Sequence, residues 1–308
     1  MIKLVVNLAL MSAVLWGGVA TAQQGETPTP EAPGQQEPAG TSSPQGIQPF
    51  TPPPESEIPD DEFGAMVRRG KALFMDSQQM RGTYVNNGLT CANCHLDRGR
   101  KPNSSPMWGA WTMYPAYRGK TGRVDTMAER IQGCFEYSMN GKAPPVGSEE
   151  LTALMTYFYW MSTGAPTRVE LPGRGYPEVP KPAQEPDPAR GEQVFAAQCA
   201  ICHGEDGQGR KVGDQYVFPP LWGEESYNWG AGMHRINTAA AFIKHNMPLG
   251  QGGTLSDQEA WDVASYMNSH ERPQDPRFTG DLAETDKTFH DEQCHYGEEM
   301  HGKVLGGS

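Results

Sequence analysis

The sequence predicts two small all-helical domains in tandem. At about 100–200 residues per domain, a chain of 308 residues has room for two. A proline-rich stretch, residues 165–186, separates two segments of similar layout and is expected to be the interdomain linker. Neither segment contains a long alternation of polar and apolar residues, which is the pattern typical of half-buried strands. The predicted domains span residues 60–164 and 187–272.

Each domain is expected to begin and end with an amphipathic helix. In the first domain, apolar residues between positions 62 and 75 recur with a helical period, and a closing helix runs from Ser148 to Met161. In the second domain, Asp187 followed by a proline is typical of a helix start. Its closing helix is expected to begin at Ser256. The two domains therefore share one order of elements.

The same motif, Cys-x-x-Cys-His, lies between the two helices of each domain. It consists of Cys91, Cys94 and His95 in the first domain and of Cys199, Cys202 and His203 in the second. Two thiols at this spacing can form thioethers with both vinyl groups of one haem, and the adjacent histidine becomes the proximal ligand of the iron. The motifs predict two covalently attached haem c groups, and with them two class I cytochrome c-like domains.

Two other chemistries use paired cysteines. A structural zinc site needs four ligands in paired clusters, whereas the two motifs here fall in separate domains. A thioredoxin-like dithiol needs a βαβ context, and the sequence has no such pattern. Both alternatives are therefore disfavoured.

A further cysteine, Cys134, lies in a predicted helix that ends near Gly141. Arg130 and Ser138 stand four residues before and after it, so the three share one face. A nearby arginine favours thiolate over thiol, and a thiolate is a good axial ligand for ferric haem. In an oxidising compartment Cys134 could instead form a disulfide with Cys294.

Cys134 follows a Cys-x-x-Cys-His motif, and the first domain also contains the segments Trp108-Gly109-Ala110-Trp111, Tyr114-Pro115-Ala116-Tyr117-Arg118 and Ser138-Met139-Asn140-Gly141. Together these residues resemble those of the dihaem thiosulfate dehydrogenases. The resemblance covers about residues 62–272. Members of this family are periplasmic cytochromes that couple two thiosulfates into tetrathionate, and some run the reverse reduction.

The resemblance implies a set of iron ligands. It places His95 and Cys134 on the two sides of an active-site haem, and His203 on the proximal side of an electron-transfer haem. Met247 is the expected distal ligand of the second haem. Some family members have a lysine immediately before this methionine and exchange the two ligands on reduction. This chain has Asn246 there, which favours simple ligation by His203 and Met247.

The residues alone leave other distal ligands open. His245, His234 and Lys244 compete with Met247 in the second domain. In the first domain, Met107, Met113 and Met139 compete with Cys134, although methionines are more often used for packing.

Thiosulfate and tetrathionate are dianions, so an acidic protein needs local cations to hold them. Arg118 and Arg130 are the candidates, with Ser138 beside Cys134, although both guanidinium groups would also suit haem propionates. The resemblance implies a covalent sulfur intermediate at Cys134. The expected partners are thiosulfate or tetrathionate and a small cytochrome or other periplasmic electron carrier. The alternatives are a dihaem electron carrier without a substrate and, more weakly supported, a dihaem peroxidase.

The first 59 residues are expected to lie outside both domains. Lys3, the mostly apolar stretch 4–19 and the small residues 20–22 are typical of a secretory signal peptide over residues 1–22, which predicts the periplasm. Residues 23–59 hold ten prolines, five glutamates and no Lys or Arg. They are predicted to form a disordered tether, since such a composition cannot offset its ordering entropy.

Charge and composition exclude two classes of partner. The formal net charge is −12 at pH 7, so nothing here would displace counterions from DNA or RNA. With 37% hydrophobic residues the chain cannot form a lipid-spanning bundle, and no permanent membrane span is expected.

Residues 273–308 are expected to form a polar, weakly ordered C-terminal tail. Within it, His290, His295 and His301 could bind a metal. Cys294 and the histidine after it look like the end of a haem motif that lacks its first cysteine, and the sequence suggests no function for Cys294.

Overall fold

The computed structural model describes residues 49–290 and 293–307. The predicted signal peptide and residues 23–48 of the predicted tether lie outside these residues. The first domain consists of α1 (Glu62–Met75), α2 (Leu96–Gly99), α3 (Met107–Trp111), β1 (Ala116–Arg118), β2 (Arg123–Asp125), α4 (Met127–Gly133), a π-helical turn (Cys134–Ser138) and α5 (Glu149–Met161). The second consists of α6 (Pro188–Gln198), α7 (Ala200–His203), β3 (Arg210–Val212), β4 (Gln215–Phe218), α8 (Ile236–Asn246) and α9 (Asp257–Asn268). Beyond it lie α10 (Leu282–Phe289), β5 (Glu299–Met300) and β6 (Lys303–Val304).

In each domain the opening helix crosses the closing helix at a glycine. A Cβ on Gly70 of α1 would lie 2.0 Å from the carbonyl oxygen of Ala153 in α5. A Cβ on Gly191 of α6 would lie 2.1 Å from the carbonyl oxygen of Asp262 in α9. Only glycine permits this backbone approach. The two domains therefore share a helix crossing as well as an order of elements.

The predicted helix starts are present. The Asp187 side chain accepts a hydrogen bond from Ala189 N, with proline at the first position of α6. Ser256 and Glu259 form a complete capping box at α9. Ser148 caps α5 through Leu151 N alone, because the residue three positions on is Leu151 rather than glutamate.

Loops of the second domain contact the first domain beside the π-helical turn. Arg81 forms a two-bond ion pair with Glu225, at 2.8 and 3.0 Å. Asn228 Nδ2 donates to the carbonyl of Glu136, within the turn, at 2.8 Å. Asn87 Nδ2 donates to the carbonyl of Ser226 at 2.9 Å. The turn that carries Cys134 is thus held by both domains.

The described part of the predicted tether, residues 49–59, packs against the first domain. The Phe50 ring lies 5.5 Å from the ring of the buried Trp108. Glu55 pairs with Lys71 of α1, and Arg100 donates to the carbonyl of Pro52 at 3.0 Å. The expectation that the whole stretch 23–59 has nothing to pack is therefore wrong for these residues. The prediction used the average composition of residues 23–59, which does not reveal the few side chains of residues 49–59 that pack.

The expectation of a weakly ordered tail is also wrong. In the described residues after 272, α10 and the hairpin of β5 and β6 surround a small core of their own. This core contains Cys294, Tyr296 and Leu305 and packs on Trp229 of the second domain. None of the helices formed by the described residues has the length and apolar character needed to cross a membrane.

Candidate haem and substrate site

His95 follows the first Cys-x-x-Cys pair and is held through Nδ1. That nitrogen lies 2.7 Å from the carbonyl oxygen of Ser105. A carbonyl can only accept, so Nδ1 carries the proton and Nε2 presents a lone pair. Burial lowers the pKa of His95 to about 4, which keeps the ring neutral at pH 7. A neutral ring fixed through its other nitrogen is typical of a metal-ligating histidine.

His203 is held in the same way in the second domain. Its Nδ1 lies 2.9 Å from the carbonyl oxygen of Pro219, and burial lowers its pKa. The donor set of each domain, two cysteines and one oriented histidine, therefore fits a haem c.

Three of the attachment cysteines, Cys91, Cys94 and Cys199, are poor thiolates. Burial raises the pKa of the Cys91 thiol to about 11 and that of Cys94 to about 12. It raises the pKa of Cys199 to about 11. Disulfide exchange requires a thiolate near neutral pH, so these environments disfavour a reactive dithiol.

Met247 directly follows α8 as its C-cap residue and packs against the core of the second domain. The residue before it, Asn246, is fully buried and donates from Nδ2 to the carbonyl of Asn103 in the first domain at 2.9 Å. Asn246 thus anchors the Met247 loop to the first domain.

The three competing ligands in the second domain contact other groups. Lys244 pairs with Asp257 at 2.8 Å. His234 lies beside His290, with their ring centroids 4.8 Å apart. The His245 side chain donates a hydrogen bond to the backbone carbonyl of Pro177 in the linker.

Cys134 stands at the junction of α4 and the π-helical turn, where the predicted single helix changes its winding. Arg130 Nη1 donates to its Sγ at 3.0 Å. The negative charge of Cys134 raises the pKa of Arg130 above its ordinary value. No disulfide joins Cys134 to Cys294, since both are free of disulfides in the described residues. Cys134 also interacts electrostatically with Cys91 and Cys94, which places it at the first haem-attachment motif.

The other two predicted residues are placed differently. Arg118 Nη1 donates to the hydroxyl of Tyr114 at 3.1 Å, and Tyr114 in turn interacts electrostatically with Arg130. Arg118 therefore does not contact Cys134 or Arg130 directly, and Tyr114 lies between it and Arg130. The Ser138 hydroxyl makes no hydrogen bond to Cys134 or Arg130; the contribution of Ser138 is its carbonyl, which accepts from Asn87 Nδ2 at 2.8 Å.

Sequence reasoning missed two residues near this site. Lys120, in the turn between β1 and β2, has Nζ 3.3 Å from the centroid of the Tyr137 ring and donates to the carbonyl of Gly230. Tyr176 of the linker donates to the carbonyl of Cys94 at 3.4 Å, and its ring lies 5.6 Å from that of Phe242 in α8. An aromatic residue inside a proline-rich stretch was the one signal for Tyr176.

Comparison with known proteins identifies the two domains and the family. The family model described as "SoxA/TsdA, cytochrome c domain" matches residues 70–167, and "Cytochrome C oxidase, cbb3-type, subunit III" matches residues 186–267. The thiosulfate dehydrogenase of Stutzerimonas stutzeri is 58% identical over 260 residues, which are 83% of this chain and 85% of the relative. The chain belongs to the dihaem cytochrome c thiosulfate dehydrogenase family. The prediction of two cytochrome c domains is confirmed, and such domains carry covalently bound haem c.

Other members of this family are similar over the same region. The thiosulfate dehydrogenase of Thiomonas intermedia is 53% identical over 258 residues, 83% of this chain and 82% of that protein. A solved structure of thiosulfate dehydrogenase (TsdBA) from Marichromatium purpuratum, in its "as isolated" form, is 51% identical with a TM-score of 0.82. The match covers 85% of this chain but 58% of the length of that chain.

Proposed function

We propose that the chain is a periplasmic oxidoreductase that interconverts thiosulfate and tetrathionate, with two haem c groups. The observation that carries this proposal is the hydrogen bond from Arg130 to Cys134 beside the first attachment motif. A pure electron carrier has no need of a cysteine held beside a half-buried cation. An enzyme that handles sulfur anions needs both.

In this proposal Cys134 forms a covalent bond with substrate sulfur. Its thiolate joins the terminal sulfur of one thiosulfate, two electrons leave, and a cysteine S-thiosulfonate results. The terminal sulfur of a second thiosulfate then attacks the sulfane sulfur that is bonded to Sγ of Cys134, as in thiol–disulfide exchange. Tetrathionate forms, and the Cys134 thiolate is released as the leaving group. The reverse sequence consumes two electrons and returns two thiosulfates.

The residues around Cys134 supply charge and orientation. Arg130 favours the thiolate as nucleophile and as leaving group, because it stabilises negative charge on Sγ. Arg118 and Lys120 add positive charge to the same surroundings and suit dianionic substrates. His95 and Cys134 would ligate the first haem, and His203 and Met247 the second. When bound, each haem accepts or donates one electron, which matches the two-electron stoichiometry.

The second domain would pass electrons to or from a small cytochrome or another periplasmic carrier. Tyr176 and Asn246 link the surroundings of the two haem sites through contacts across the domain boundary. Export through a cleaved signal peptide over residues 1–22 would bring the chain to the compartment where haem c is attached and where these sulfur anions are met.

Steady-state assays of the haem-loaded protein test this proposal. One assay supplies thiosulfate with ferricyanide, and the other supplies tetrathionate with a reduced viologen. Turnover in at least one direction is the expected result. If the protein takes up and releases electrons but turns over neither sulfur anion, the electron-carrier alternative replaces it.

A further inference from the structure

A buried cluster outside the haem sites brings together two histidines and a cysteine. His234 ends the short 3-10 turn before α8, whereas His290 and Cys294 belong to the segment after α10. Their side chains come from two parts of the chain, the second domain and the C-terminal segment. One ligand atom of each residue lies within 4.8 Å of the others. We propose that these three side chains bind one zinc-like divalent metal ion.

The burial of the cluster needs an explanation. His234, His290 and Cys294 are 4%, 8% and 6% exposed. Nε2 of His234 is buried and has no hydrogen-bond partner in the described residues. An unpaired imidazole nitrogen in a protein interior costs free energy, and a bound metal ion would relieve that cost.

The tautomer of His234 presents a lone pair to the cluster. Nδ1 of His234 lies 2.5 Å from the carbonyl oxygen of Ala231, so it carries the proton and Nε2 remains available. Burial and the neighbouring His290 hold the pKa of His234 well below its ordinary value, so the ring is neutral. Nδ1 of His290 lies 3.3 Å from Sγ of Cys294, on the side of the ring that faces the cluster.

Behind His290 lies an acidic side chain. Nε2 of His290 is 3.3 Å from Oδ2 of Asp275, whose side chain is fully buried. Burial alone would raise the pKa of Asp275, but hydrogen bonds from His290 and Arg277 hold it well below its ordinary value. A carboxylate behind a ligating histidine is a recurring arrangement in metal sites, because it fixes the ring and raises its basicity.

The donor set suits zinc. Imidazole nitrogen and thiolate sulfur are its usual ligands, and sites with three protein ligands complete the tetrahedron with water. Zinc bonds of about 2.0–2.3 Å place tetrahedral donors roughly 3.3–3.8 Å apart. Nδ1 of His290 and Sγ of Cys294, 3.3 Å apart, already fit this range, and separations of up to 4.8 Å would shorten by about 1 Å on binding.

An ion can reach the cluster from solvent. A cleft of 380 Å³ is lined by His290, Cys294, Asp286 and Glu298, among others. It provides an entry path and room for a water molecule as fourth ligand. Since His234 belongs to the second domain, the ion would tie the C-terminal segment to that domain.

Two histidines of the same segment are natural controls. His295 is the neighbour of Cys294, but Nδ1 lies 2.6 Å from Glu298 and Nε2 lies 2.8 Å from the Ser265 hydroxyl. His301 Nε2 lies 3.1 Å from the Ser269 hydroxyl. Both side chains therefore have partners outside the cluster.

The test uses the haem-loaded protein after treatment with a chelator, so that zinc cannot occupy the haem-attachment cysteines. Zinc is added in competition with a chromogenic chelator, and the bound ion is examined by X-ray absorption at the zinc edge, where haem iron does not contribute. We expect one zinc per chain, with one sulfur at about 2.3 Å and nitrogen at about 2.0 Å. Cys294→Ser should remove the sulfur signal and weaken binding at least tenfold, and His234→Gln should weaken it comparably. His295→Gln should leave both unchanged.

Three results would overturn the proposal. The first is that the wild-type protein takes up no zinc in the competition assay, which would mean that the cluster is only a hydrogen-bonded core. The second is that zinc stays bound through sulfur in Cys294→Ser, which would mean that the site lies elsewhere. The third is that His295→Gln weakens zinc binding as much as the ligand variants do, which would mean that a different set of side chains holds the ion. If Cys294→Ser does not fold with two haems, His234→Gln decides the question on its own.

Discussion

Arg130 donates a hydrogen bond of 3.0 Å from Nη1 to Sγ of Cys134, four residues later in the chain. The pair spans the junction between α4 and the π-helical turn. Single turns of π-helix inside helices are uncommon and occur frequently at functional sites. Here the turn is fixed from outside as well, since Asn228 of the second domain binds the Glu136 carbonyl. A cation and a sulfur are thereby held together in a segment that both domains support.

Replacing Arg130 tests this pair. Arg130→Met should lower kcat/KM for thiosulfate roughly 10–100-fold, because a hydrogen bond to a charged group contributes about 1.5–3 kcal/mol and each 1.4 kcal/mol is tenfold. Arg130→Lys should recover part of the loss, since it keeps the charge without the fork of donors. Arg69→Met is the matched control, because Arg69 is an exposed arginine of α1 paired with Glu149. Equal rates for Arg130→Met and Arg69→Met would contradict the assignment.

Cys134→Ser should remove the activity itself. Loss of an essential covalent group lowers turnover by orders of magnitude. The proximal His95 and both attachment cysteines are unchanged, so haem content should stay at two per chain. Without the thiolate, the first haem should turn high-spin or take up water, and its potential should rise. Haem staining, optical spectra and steady-state assays measure the three outcomes. A variant that keeps most of its turnover would favour the electron-carrier alternative.

Met247 can be examined by spectroscopy. If it ligates the second haem, the oxidised protein has a weak near-red band from sulfur-to-iron charge transfer, and Met247→Gly should abolish it. Methionine raises the haem potential whereas thiolate lowers it, so the second haem should titrate above the first. Met75→Ala is the control, because Met75 is a methionine of α1 that is 41% exposed. Survival of the band in Met247→Gly would rule Met247 out.

Much of the fold could be predicted because its signals are local. Asp187 with its following proline and Ser256 with Glu259 mark helix starts within four residues of sequence. The same holds for the attachment motifs, whose chemistry needs adjacent residues. Arg130 and Cys134 also lie one turn apart, and their contact could be read from the spacing.

The rest depends on pairs that are distant in sequence. Asn246 donates to the carbonyl of Asn103, and Tyr176 donates to the carbonyl of Cys94. These residues are far apart in the sequence, and the hydrophobic periodicity of a single element does not predict such contacts. The cluster of His234, His290 and Cys294 combines residues from the second domain and the C-terminal segment. That segment and the first described residues were expected to lack structure because their average composition is polar. A few apolar side chains, Phe50 and Tyr296 among them, were enough to order both.

Shortening the N-terminal segment separates the packed part from the remainder. Deleting residues 23–48, with the signal peptide kept, should leave both haems and turnover intact, because their composition offers little to bury. Phe50→Ala should lower the free energy of unfolding by about 1–2 kcal/mol, since it removes apolar packing on Trp108. Val146→Ala is the control, because Val146 is 76% exposed. Denaturant unfolding followed by haem absorbance measures both, and a neutral Phe50→Ala would show that the contact stabilises nothing.

Lys120 should make substrate binding depend on pH. Burial, with Arg277 and Arg130 nearby, lowers the pKa of Lys120 to about 7. Below that pH its ammonium group adds positive charge near Cys134, and above it the charge is lost. The KM for thiosulfate should therefore rise severalfold between pH 6 and pH 8, because a dianion loses one attractive charge. In Lys120→Met the KM for thiosulfate should stay near the wild-type value at pH 8, with little change between pH 6 and pH 8.

The same lowered pKa predicts the sign of a stability change. In the unfolded chain a lysine keeps its proton to about pH 10.4, so between pH 7 and pH 10 the unfolded state binds more protons than the folded one. Burying the charged Lys120 therefore lowers the free energy of unfolding, and this cost is fully present below pH 7. As pH rises above 7 the cost decreases, and the free energy of unfolding increases. Relative to wild type, Lys120→Met should be more stable at pH 6, and its advantage should shrink by pH 9. Urea unfolding at both pH values measures the difference. An advantage that stays constant would mean that Lys120 does not titrate in this range, and the KM profile would then need another group.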